Sequence, residues 1–598
     1  MPGGAAEVDM RTVVHVTHEA VEKIGGIGAV LEGLLTCRAY DQAVGRSILI
    51  GPLFTTEGPA ERRLGPDGEV LYSSLDGKID HPAGRRLQEV QRTFNVDLVY
   101  GRRQFRDPQG VTTSRPEALL IDIGRMDLSR LNEFKAALYH RFQIASDRYE
   151  ESWEYDQYVK IAQPAVAALK VLGACQDECV ILGHEFMGVP TALAAMLDGH
   201  PALRTIFYAH EVAPMRKLVE EHSGHDTMFY NVLGAAMPDG LHVEDVFGSQ
   251  RGYFKFALVE AARHCDNILA VGDYVVKELM FMGRDFEHVD IDLAYNGIPA
   301  SHISLEQAQA SKQKLRRYAE TLLGYRPDYV FTHVTRMAVS KGLWRDLRVL
   351  EHVEMQFRQT GETGVFFVLS SEVPRRRPED IYKMEQWWDW PVAHREGLPD
   401  LSGGEALFYA GVQRFNARAR NIKVVLVNQF GWDSITCGRR MPEDMQFMDI
   451  RMGTDAEFGQ SIYEPFGIAQ LEALSFGGIC VPTRVCGCAG FVDDVTGGRS
   501  EANLIVPDYT DIGRPRGSLD ELLKINRTYR ERVEAGVAKQ VAHQLVERLP
   551  RCDAEKVGLI ERGYELASQM SWEVVASNYV LPGIDRACRK RRSTQVVA

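Results

Sequence analysis

Short apolar segments rich in β-branched residues alternate with longer amphipathic segments along most of the chain. Apolar runs of this length between turn residues predict buried strands, and the amphipathic stretches predict helices. The first series of predicted strands comprises TVVHVT, RSILIGP, DLVYG, ALLIDI, CVILGHE, RTIFYAHE and NILAVGD, with a long helix at residues 151–172. Strands that alternate with helices indicate a parallel sheet covered by helices on both faces.

A second series of strands follows a charged, helical stretch at residues 304–323. It begins with YVFTHVTR and continues with VFFVLSS, IKVVLVN, a helix at 468–476 and a strand at 478–482. We therefore predict an α/β protein with two doubly wound, Rossmann-like domains that face each other across a deep cleft.

The two series set the predicted domain boundaries. Residues 1–303 are predicted to form an N-terminal domain, and residues 304–570 a C-terminal domain. Residues 571–598 are predicted to form a C-terminal helix that returns to the N-terminal domain.

Residues 372–420 interrupt the second series with an RRRP run, a WWDW segment and GLPDLSGGE. This is more chain than a connection between a strand and a helix usually needs, so we interpret it as an insertion. The aromatic cluster of Trp387, Trp388 and Trp390 fits two hypotheses: a subunit contact in a homo-oligomer, or a locally packed cluster under a long loop.

Composition narrows the class of protein. A length of 598 residues with 45% hydrophobic residues allows a substantial core in each domain. The formal net charge of −13 disfavours binding to nucleic acid or to an anionic membrane surface. The N-terminus lacks the pattern of a signal peptide, and no stretch reaches the roughly 20 apolar residues of a membrane span, so a cytoplasmic location is expected. The ten cysteines lack the spacing of a zinc site and are expected to be reduced thiols.

The first candidate for chemistry is the segment that contains Lys23, Gly25 and Gly26, between a predicted strand and a predicted helix. Backbone N–H groups beside a helix N-terminus bind anions, and a neighbouring lysine adds positive charge. The same glycines also fit a tight turn without a ligand.

The second candidate is the pair Arg336 and Lys341, which directly follows the first strand of the second domain. Ligands of doubly wound sheets bind at the carboxyl ends of the strands, where two cations can neutralise a diphosphate. Exposure to solvent is the common alternative for basic residues.

The third candidate is the segment SIYEPFGIAQLEAL, where Glu464 precedes a predicted helix and Glu472 lies within it. The two carboxylates are about two helical turns apart and can contact different parts of one extended ligand. No Asp-x-Asp motif ends a strand as a metal–diphosphate clamp, so neither a metal ion nor another cofactor is expected.

The motifs Lys-x-Gly-Gly, Arg-x4-Lys-Gly and Glu-x7-Glu occur in this order in glycogen and starch synthases, which the sequence resembles from Glu19 to about Asp494 and again at MSWEVVASNYVLPGI. The segments EKIGGIGAVL, DTMFYN, EAARHCDNILAVGDYV and YNGI resemble the animal and fungal glycogen synthases most. The resemblance implies a GT-B fold and a retaining glycosyltransferase of glycogen biosynthesis. Such an enzyme transfers glucose from UDP-glucose or ADP-glucose to the non-reducing end of an α-1,4-glucan.

The resemblance also implies roles for residues of the first domain. Lys23, Gly25 and Gly26 resemble the loop that holds the donor diphosphate and sugar, and His210 resembles the histidine beside the transferred sugar. Three further residues, by the same resemblance, line the acceptor cleft: His184, Glu185 and Asn296.

In the second domain, Arg336 and Lys341 resemble the pair that stabilises the leaving diphosphate. Glu464 resembles the carboxylate that faces the sugar, and Glu472 the acid that binds the ribose. The remaining donor-binding residues implied by the resemblance are Gly467, Cys488 and Gly490, of which the last two lie in a phosphate-binding turn.

The sequence departs from the family in two places. Cys488 and Ala489 replace the usual Thr and Gly of the phosphate turn, which leaves backbone N–H donors for a phosphate. The segments INRTYRER and QLVERLPR carry fewer and differently spaced arginines than the regulatory helix of the animal and fungal enzymes, so the resemblance does not carry over activation by a sugar phosphate, and regulation by sugar phosphates stays an open question at this point.

Three alternative functions compete with glucan synthesis. They are transfer to a small acceptor, as in sucrose or trehalose synthesis; epimerase or phosphorylase activity on a GT-B fold; and glycan binding without catalysis. No lysine site for pyridoxal phosphate is found, which argues against a phosphorylase. A degenerate binder is expected to lose some of the motif residues, and this sequence retains Lys23, His210, Arg336, Lys341 and Glu464.

Overall fold

The computed structural model describes residues 11–23, 25–55, 57–107, 110–513 and 517–590. The chain forms two compact units. The first comprises Met1–Met215, Gly240–Gly297 and Trp572–Ala598, and the second comprises Arg216–Asp239 and Ile298–Ser571. The segment Arg216–Asp239 lies in the second unit, although it belongs to the range predicted for the N-terminal domain. The last eight residues of the predicted C-terminal helix lie outside the described residues.

The first unit contains a ten-stranded sheet in the order β12-β11-β10-β9-β1-β2-β8-β5-β3-β4. Together with a separate β6–β7 hairpin, its strands are β1 (Thr12–Val16), β2 (Arg46–Pro52), β3 (Glu69–Ser73), β4 (Lys78–Ile79), β5 (Asp97–Arg102), β6 (Phe105–Arg106), β7 (Thr113–Ser114), β8 (Glu117–Asp122), β9 (Cys179–His184), β10 (Leu203–Ala209), β11 (Asn267–Ala270) and β12 (Ile291–Leu293). All seven strands predicted for the first series are present, which confirms the α/β prediction for this unit.

One edge of this sheet differs from the predicted parallel arrangement. The β5 strand pairs antiparallel with β8 and with β3, and β3 pairs antiparallel with β4. A parallel pair needs a crossover connection, usually a helix, whereas the described residues between β5 and β8 form the short antiparallel β6–β7 pair and no helix. The remaining strands, from β12 to β8 in sheet order, are parallel.

Helices cover both faces of this sheet, as expected for a doubly wound unit. They are α1 (Gly26–Thr36), α2 (Arg38–Ala43), α3 (Gly84–Phe94), α4 (Leu128–Phe142), α5 (Trp153–Val171), α6 (Glu185–Asp198), α9 (Val243–Phe247), α10 (Phe254–Ala261), α11 (Asp273–Met282), α21 (Trp572–Val575) and α22 (Leu581–Arg589), while α7 (Ala213–Glu221) and α8 (His225–Ala236) lead into and belong to the second unit. The β9 strand and α6 approach so closely that a Cβ at Gly188 would lie 2.3 Å from the Cα of Gly183. This contact brings the start of α6 to the carboxyl end of β9.

The second unit contains a five-stranded parallel sheet in the order β15-β14-β13-β16-β17. Its strands are β13 (Tyr329–Val334), β14 (Gly364–Leu369), β15 (Ile422–Val427), β16 (Ala456–Gly459) and β17 (Ile479–Pro482). The strand order reverses between β13 and β16, and ligands of doubly wound sheets bind at such a reversal. The segments that follow β13 and β16 contain Lys341 and Glu464.

Nine α-helices follow residue 300 in the described part of this unit, from one at residues 305–323 to two long helices at residues 527–548 and 553–569. They are α12 (Leu305–Leu323), α13 (Leu343–Thr360), α14 (Pro378–Trp388), α15 (Gly403–Arg418), α16 (Phe447–Met452), α17 (Gly487–Thr496), α18 (Leu519–Leu522), α19 (Arg527–Arg548) and α20 (Asp553–Gln569). Ser304 and Gln307 form a capping box at the start of α12, because each side chain accepts a hydrogen bond from the backbone of the other.

The helix predicted at 468–476 is wrong. The segment instead forms two short 3₁₀ turns, Ile468–Gln470 and Leu474–Phe476, with N–H groups bonded three residues back. Tertiary packing explains the difference: α20 lies so close that a Cβ at Gly563 would be 1.9 Å from the carbonyl oxygen of Leu474.

The segment predicted as an insertion contains α14 and α15. Tyr409, Val412 and Phe415 of α15 belong to the core beside the second sheet. Trp390 is fully buried, and the Nε1 of Trp388 donates to Asp400 at 2.8 Å. Trp388 and Trp390 are therefore packed locally, whereas Trp387 is 64% exposed, and the subunit contact stays a hypothesis.

Within the part of the chain that the structure describes, no helix is long and apolar enough to cross a membrane. All ten cysteines are free thiols, in agreement with the expectation of reduced cysteines.

Candidate functional site

Three histidines form a hydrogen-bonded chain at the carboxyl ends of adjacent parallel strands in the first unit. His15 lies near the end of β1, His184 ends β9, and His210 follows β10. The Nδ1 of His15 is 2.9 Å from the Nε2 of His184, and the Nδ1 of His184 is 2.8 Å from the Nε2 of His210. The Nε2 of His15 lies 2.8 Å from the hydroxyl of Tyr40, which ends the chain in the protein interior.

Burial keeps this chain uncharged at neutral pH. It lowers the pKa of His15 and of His210 to about 3, and it lowers the pKa of His184 well below its ordinary value, with His210 and His15 adding to the shift. A neutral imidazole has one N–H donor and one acceptor nitrogen, so all the N–H groups along the chain point the same way. The Nδ1 of His210 is the end of the chain that remains for a ligand.

Glu185 follows His184 and begins α6. Its backbone is in the left-handed region, with φ 59°, and its side chain is buried. One carboxylate oxygen accepts a hydrogen bond from the N–H of Glu211, and the other, Oε2, is buried without a partner. Burial, with a contribution from the Glu211 carboxylate, raises the pKa of Glu185 well above its ordinary range. A strained backbone and a buried acid with a free oxygen are typical of functional sites.

Asn296 adds an unsatisfied polar atom to the first unit. Its residue is 5% exposed, and its amide oxygen is buried without a hydrogen-bond partner. The neighbouring Gly297 packs against the C-terminal helix, because a Cβ at Gly297 would lie 2.5 Å from Cδ2 of Trp572. The return of the chain through α21 thus positions the backbone beside Asn296.

The glycine loop before α1 binds an anion from within the protein. The N–H groups of Gly25 and Gly28 donate to the Oε2 of Glu19 at 2.8 and 2.9 Å. Lys23 points elsewhere and forms an exposed ion pair with Glu32, with 2.6 Å between Nζ and Oε2. Gly26 is the first residue of α1. Two N–H groups of the loop thus already bind the Glu19 carboxylate, and the role of the loop in binding the donor stays a prediction.

In the second unit, Lys341 and Glu464 form an ion pair between the Nζ and Oε2 atoms. Both side chains are 15% exposed. Arg336 is exposed and has no hydrogen bond or ion pair with any described residue. The ion pair thus joins the segment after β13 to the segment after β16, and the segment after β13 also carries the side chain of Arg336, which is unpaired among the described residues. Ligands of doubly wound sheets bind at such strand ends.

Backbone hydrogen bonds also join the segment after β13 to the segment after β16. The carbonyl oxygen of Ser340 accepts hydrogen bonds from the N–H groups of Ile462 at 2.8 Å and Tyr463 at 3.3 Å. Gly467 has φ 93°, and a Cβ there would lie 2.8 Å from the Oε1 of Gln470, so this turn requires glycine. Gly467 thus shapes the chain that carries Glu464.

The predicted phosphate turn at the start of α17 has its first N–H groups in use. The N–H of Gly487 donates to the carbonyl of Glu464 at 3.3 Å, and the N–H of Cys488 donates to the carbonyl of Phe466 at 2.9 Å. The Cys488 thiol is fully buried and donates to Gln470 at 3.7 Å. These bonds tie α17 to the Glu464 segment. The N–H of Ala489 donates to the carbonyl of Cys486 at 3.0 Å, and the N–H of Gly490, one turn into the helix, belongs to the helical hydrogen-bond pattern, so none of these N–H groups is left for a phosphate.

Glu472 is part of a buried ionic group. Its Oε2 lies 2.5 Å from NH2 of Arg451, whose NH1 lies 2.8 Å from the Oε1 of Glu457. The Glu472 side chain is 25% exposed, so it pairs with Arg451 and is also partly accessible to solvent.

Three residues of these sites were not identified from the sequence: Glu19, His15 and Arg345. Arg345 is fully buried, forms ion pairs with Asp226 at 2.7 Å and Glu534 at 3.0 Å, and donates to the carbonyl of Ser461 at 3.4 Å. His15 carried a usable signal, since it is the one ionisable side chain of the β1 strand and lies between Val14 and Val16.

Comparison with solved structures identifies the fold. The catalytic domain of starch synthase IV from Arabidopsis thaliana, solved with ADP and acarbose bound, has a TM-score of 0.53 and 14% identity, over 97% of this chain and 100% of that chain. The N-terminal domain of a trehalose-6-phosphate phosphatase from Candida albicans has a TM-score of 0.51 and 12% identity, over 98% of both chains. A trehalose-6-phosphate synthase has a TM-score of 0.50 and 11% identity, over 97% of this chain and 99% of that chain.

The fold is that of the GT-B glycosyltransferases. The predicted fold class is therefore confirmed. No protein-family model matches the sequence, and the search of curated proteins gives no match. The closer relation to animal and fungal glycogen synthases stays a prediction from the sequence motifs.

Proposed function

We propose that this protein is a retaining glycosyltransferase that transfers glucose from a nucleotide sugar to the non-reducing end of an α-1,4-glucan. The observation that carries the proposal is the Lys341–Glu464 ion pair with the unpaired Arg336, after β13 and β16 of a GT-B fold. We favour UDP-glucose over ADP-glucose, because the sequence motifs resemble those of the animal and fungal enzymes more closely.

In the proposed reaction, the bond between the anomeric carbon and the donor diphosphate breaks with oxocarbenium character. Negative charge develops on the departing diphosphate oxygen, and Arg336 and Lys341 stabilise it as fixed cations. The leaving phosphate takes the proton of the acceptor hydroxyl, and that oxygen forms the new bond on the same face of the sugar. Glu464, the partner of Lys341, accepts hydrogen bonds from the sugar and stabilises its positive charge.

The first unit supplies uncharged groups in this scheme. His210 is neutral at pH 7, since burial lowers its pKa to about 3, so it contacts the transferred sugar through a hydrogen bond rather than a charge. Glu185, whose pKa burial raises, and Asn296, whose amide oxygen has no partner, are assigned to the acceptor. Lys23, Gly25 and Gly26 are assigned to the donor, and binding there requires Glu19 to share its N–H donors or to release them.

An incorporation assay tests the proposal. Purified protein is incubated with labelled UDP-glucose or ADP-glucose, with glycogen, with glucose 6-phosphate as a small acceptor, or with no acceptor. We expect label to enter the glucan only with the primer present, and faster from UDP-glucose. Transfer to the small acceptor alone would establish the trehalose-type alternative. Absence of transfer from both donors to every acceptor would reject the enzymatic function.

A further inference from the structure

The second unit has a surface pocket with a volume of about 470 Å³ between α13, α15 and α19. Its lining contains five arginines and two glutamates: Arg348, Arg414, Arg418, Arg527, Arg530, Glu351 and Glu531. The chain as a whole has a formal net charge of −13, so a pocket with this excess of arginine is a local exception. None of the residues assigned to glucosyl transfer lines it.

The side chains of two of these arginines lack a partner. The guanidinium groups of Arg414 and Arg418 are exposed and form no hydrogen bond or ion pair with a residue that the structure describes, while the backbone carbonyl of Arg418 accepts a hydrogen bond from Arg358 at 2.6 Å. They are four residues apart on α15, so their side chains lie on the same face of the helix. Two like charges in this arrangement repel each other unless an anion lies between them.

Arg530 is a buried cation that lines the same pocket. It is 6% exposed, its guanidinium lies 5.4 Å from the ring of Trp344, and its NH1 donates to the carbonyl of Ser223 at 2.9 Å. Its Nε is buried without a hydrogen-bond partner, at 3.4 Å from the Oε1 of Glu534. Burial lowers the pKa of Arg530, and the nearby Arg345 adds to this effect. A second anion would stabilise this cation.

Two carboxylates in and below the pocket, Glu531 and Glu534, already pair with other arginines, and the exposed Glu351 forms no ion pair with a described residue. Glu534 pairs with Arg345 at 3.0 Å and with Arg348 at 3.5 Å. Glu531 pairs with Arg527 at 2.8 Å and also with Arg348 at 3.5 Å. No described carboxylate therefore neutralises the pair on α15.

The wall of the pocket also contains large apolar side chains. Trp344 and Phe408 line it, and Leu407 at its rim is 80% exposed. The volume lies in the range of small-molecule sites, and such sites combine apolar walls with a few charged groups that fix orientation. Planar guanidinium groups suit phosphate oxygens, which they bind through paired hydrogen bonds.

We propose that this pocket binds a phosphate ester of a small organic molecule, with its phosphate on Arg414, Arg418 and Arg530 and its organic part against Trp344 and Phe408. The inference does not depend on the proposed transferase activity. It rests on the unpaired arginines, on the buried guanidinium and on the apolar wall.

Calorimetric titration of the full-length protein with phenyl phosphate tests this site. We expect saturable binding that the exposed double variant Arg414→Ala/Arg418→Ala weakens by at least about tenfold, since it removes two charge-assisted contacts. The matched control is Arg375→Ala/Arg532→Ala, which removes two exposed arginines outside the pocket and should bind like the parent. Equal affinity in the two double variants, or no saturable binding by the parent, would overturn the site.

Two further titrations separate this site from its alternatives. The variant Arg336→Ala/Lys341→Ala should bind phenyl phosphate like the parent, and loss of binding there would assign the ligand to the proposed donor site instead. Inorganic phosphate should bind more weakly than phenyl phosphate, because it makes no contact with the apolar wall. Equal affinity for the two would overturn the assignment of an ester.

Discussion

The side chains at the strand ends of the two units differ in charge. In the first unit, burial lowers the pKa of His15 and His210 to about 3 and raises the pKa of Glu185, so uncharged forms are favoured. In the second unit, Lys341 and Glu464 form an ion pair. Uncharged groups orient a ligand through directional hydrogen bonds, whereas fixed charges change the free energy of a charged leaving group. The two regions should therefore respond differently to mutation, pH and salt.

The largest effect is expected from loss of the cations in the second unit. Lys341→Ala or Arg336→Ala should each raise the barrier to transfer by about 3 to 4 kcal/mol, a roughly 10²- to 10³-fold decrease in turnover, because the developing charge loses a fixed partner. Turnover is measured by the release of nucleoside diphosphate at saturating donor.

Arg375→Ala is the matched control, since Arg375 is an exposed arginine of the same unit, outside the segments after β13 and β16. It should keep the turnover of the parent. If Lys341→Ala or Arg336→Ala also keeps near-parental turnover with its fold intact, the assignment of that residue to the leaving group is wrong.

A smaller effect is expected from the uncharged region. His210→Ala removes the proposed hydrogen bond to the transferred sugar and should lower turnover by roughly 2- to 10-fold, which corresponds to one hydrogen bond between uncharged groups of about 0.5 to 1.5 kcal/mol. Because no charge is lost, the salt dependence of donor binding should not change. A variant with a changed salt dependence would contradict a neutral His210.

The buried histidine chain also predicts a dependence of stability on pH. The pKa of His15 is about 3 in the folded protein and 6.5 in the unfolded chain, so the unfolded chain binds more protons between these values. The free energy of unfolding should therefore fall as the pH falls from 6.5 towards 3, by up to about 1.4 kcal/mol per pH unit for each such histidine. Glu185 acts in the opposite sense, because its raised pKa favours the folded state on the acid side.

His15→Gln should make the decrease in melting temperature between pH 6.5 and pH 5 less steep than in the parent. The control is His543→Gln, which replaces an exposed histidine and should leave the slope unchanged. Identical slopes for the parent and both variants would show that His15 is not held neutral by burial.

The last effect is on stability alone and concerns the packing of the C-terminal helix in the first unit. Gly297→Ala places a Cβ 2.5 Å from Trp572 and should destabilise the protein by about 1 to 3 kcal/mol, which lowers the melting temperature by several degrees. Gly252→Ala meets no atom within 4 Å in the same unit and should leave the melting temperature unchanged. Equal melting temperatures for the two variants would contradict this contact.

Local sequence patterns predicted most of the fold. The apolar runs of β1, β2, β9, β10 and β13 predicted these strands, because their side chains are buried on both faces of a parallel sheet. The 468–476 segment was predicted as a helix, because its composition is apolar and helical. Its conformation depends on α20, which packs against Leu474. The pattern of apolar and polar residues within the segment does not indicate that contact.

The part of the candidate site that lies at the ends of the β-strands of the second unit could be predicted from the sequence. Arg336 and Lys341 follow β13 in the sequence and Glu464 follows β16, and these two strands are neighbours at the reversal of strand order, so their carboxyl ends lie side by side. The Glu19 carboxylate in the glycine loop was not predictable, because a pattern of glycines indicates N–H donors without indicating the acceptor. The extension of the histidine chain to His15 requires the sheet order, in which β1 lies beside β9.

Proton NMR of the reaction product tests the central claim most directly. The protein is incubated with UDP-glucose and a defined maltooligosaccharide, and the anomeric proton of the newly added glucose is recorded. A retaining transferase predicts an acceptor lengthened by one or more glucose units, each with the anomeric signal of an α-linkage. A β-linked product, or an unchanged oligosaccharide with both UDP-glucose and ADP-glucose as donors, would contradict the account.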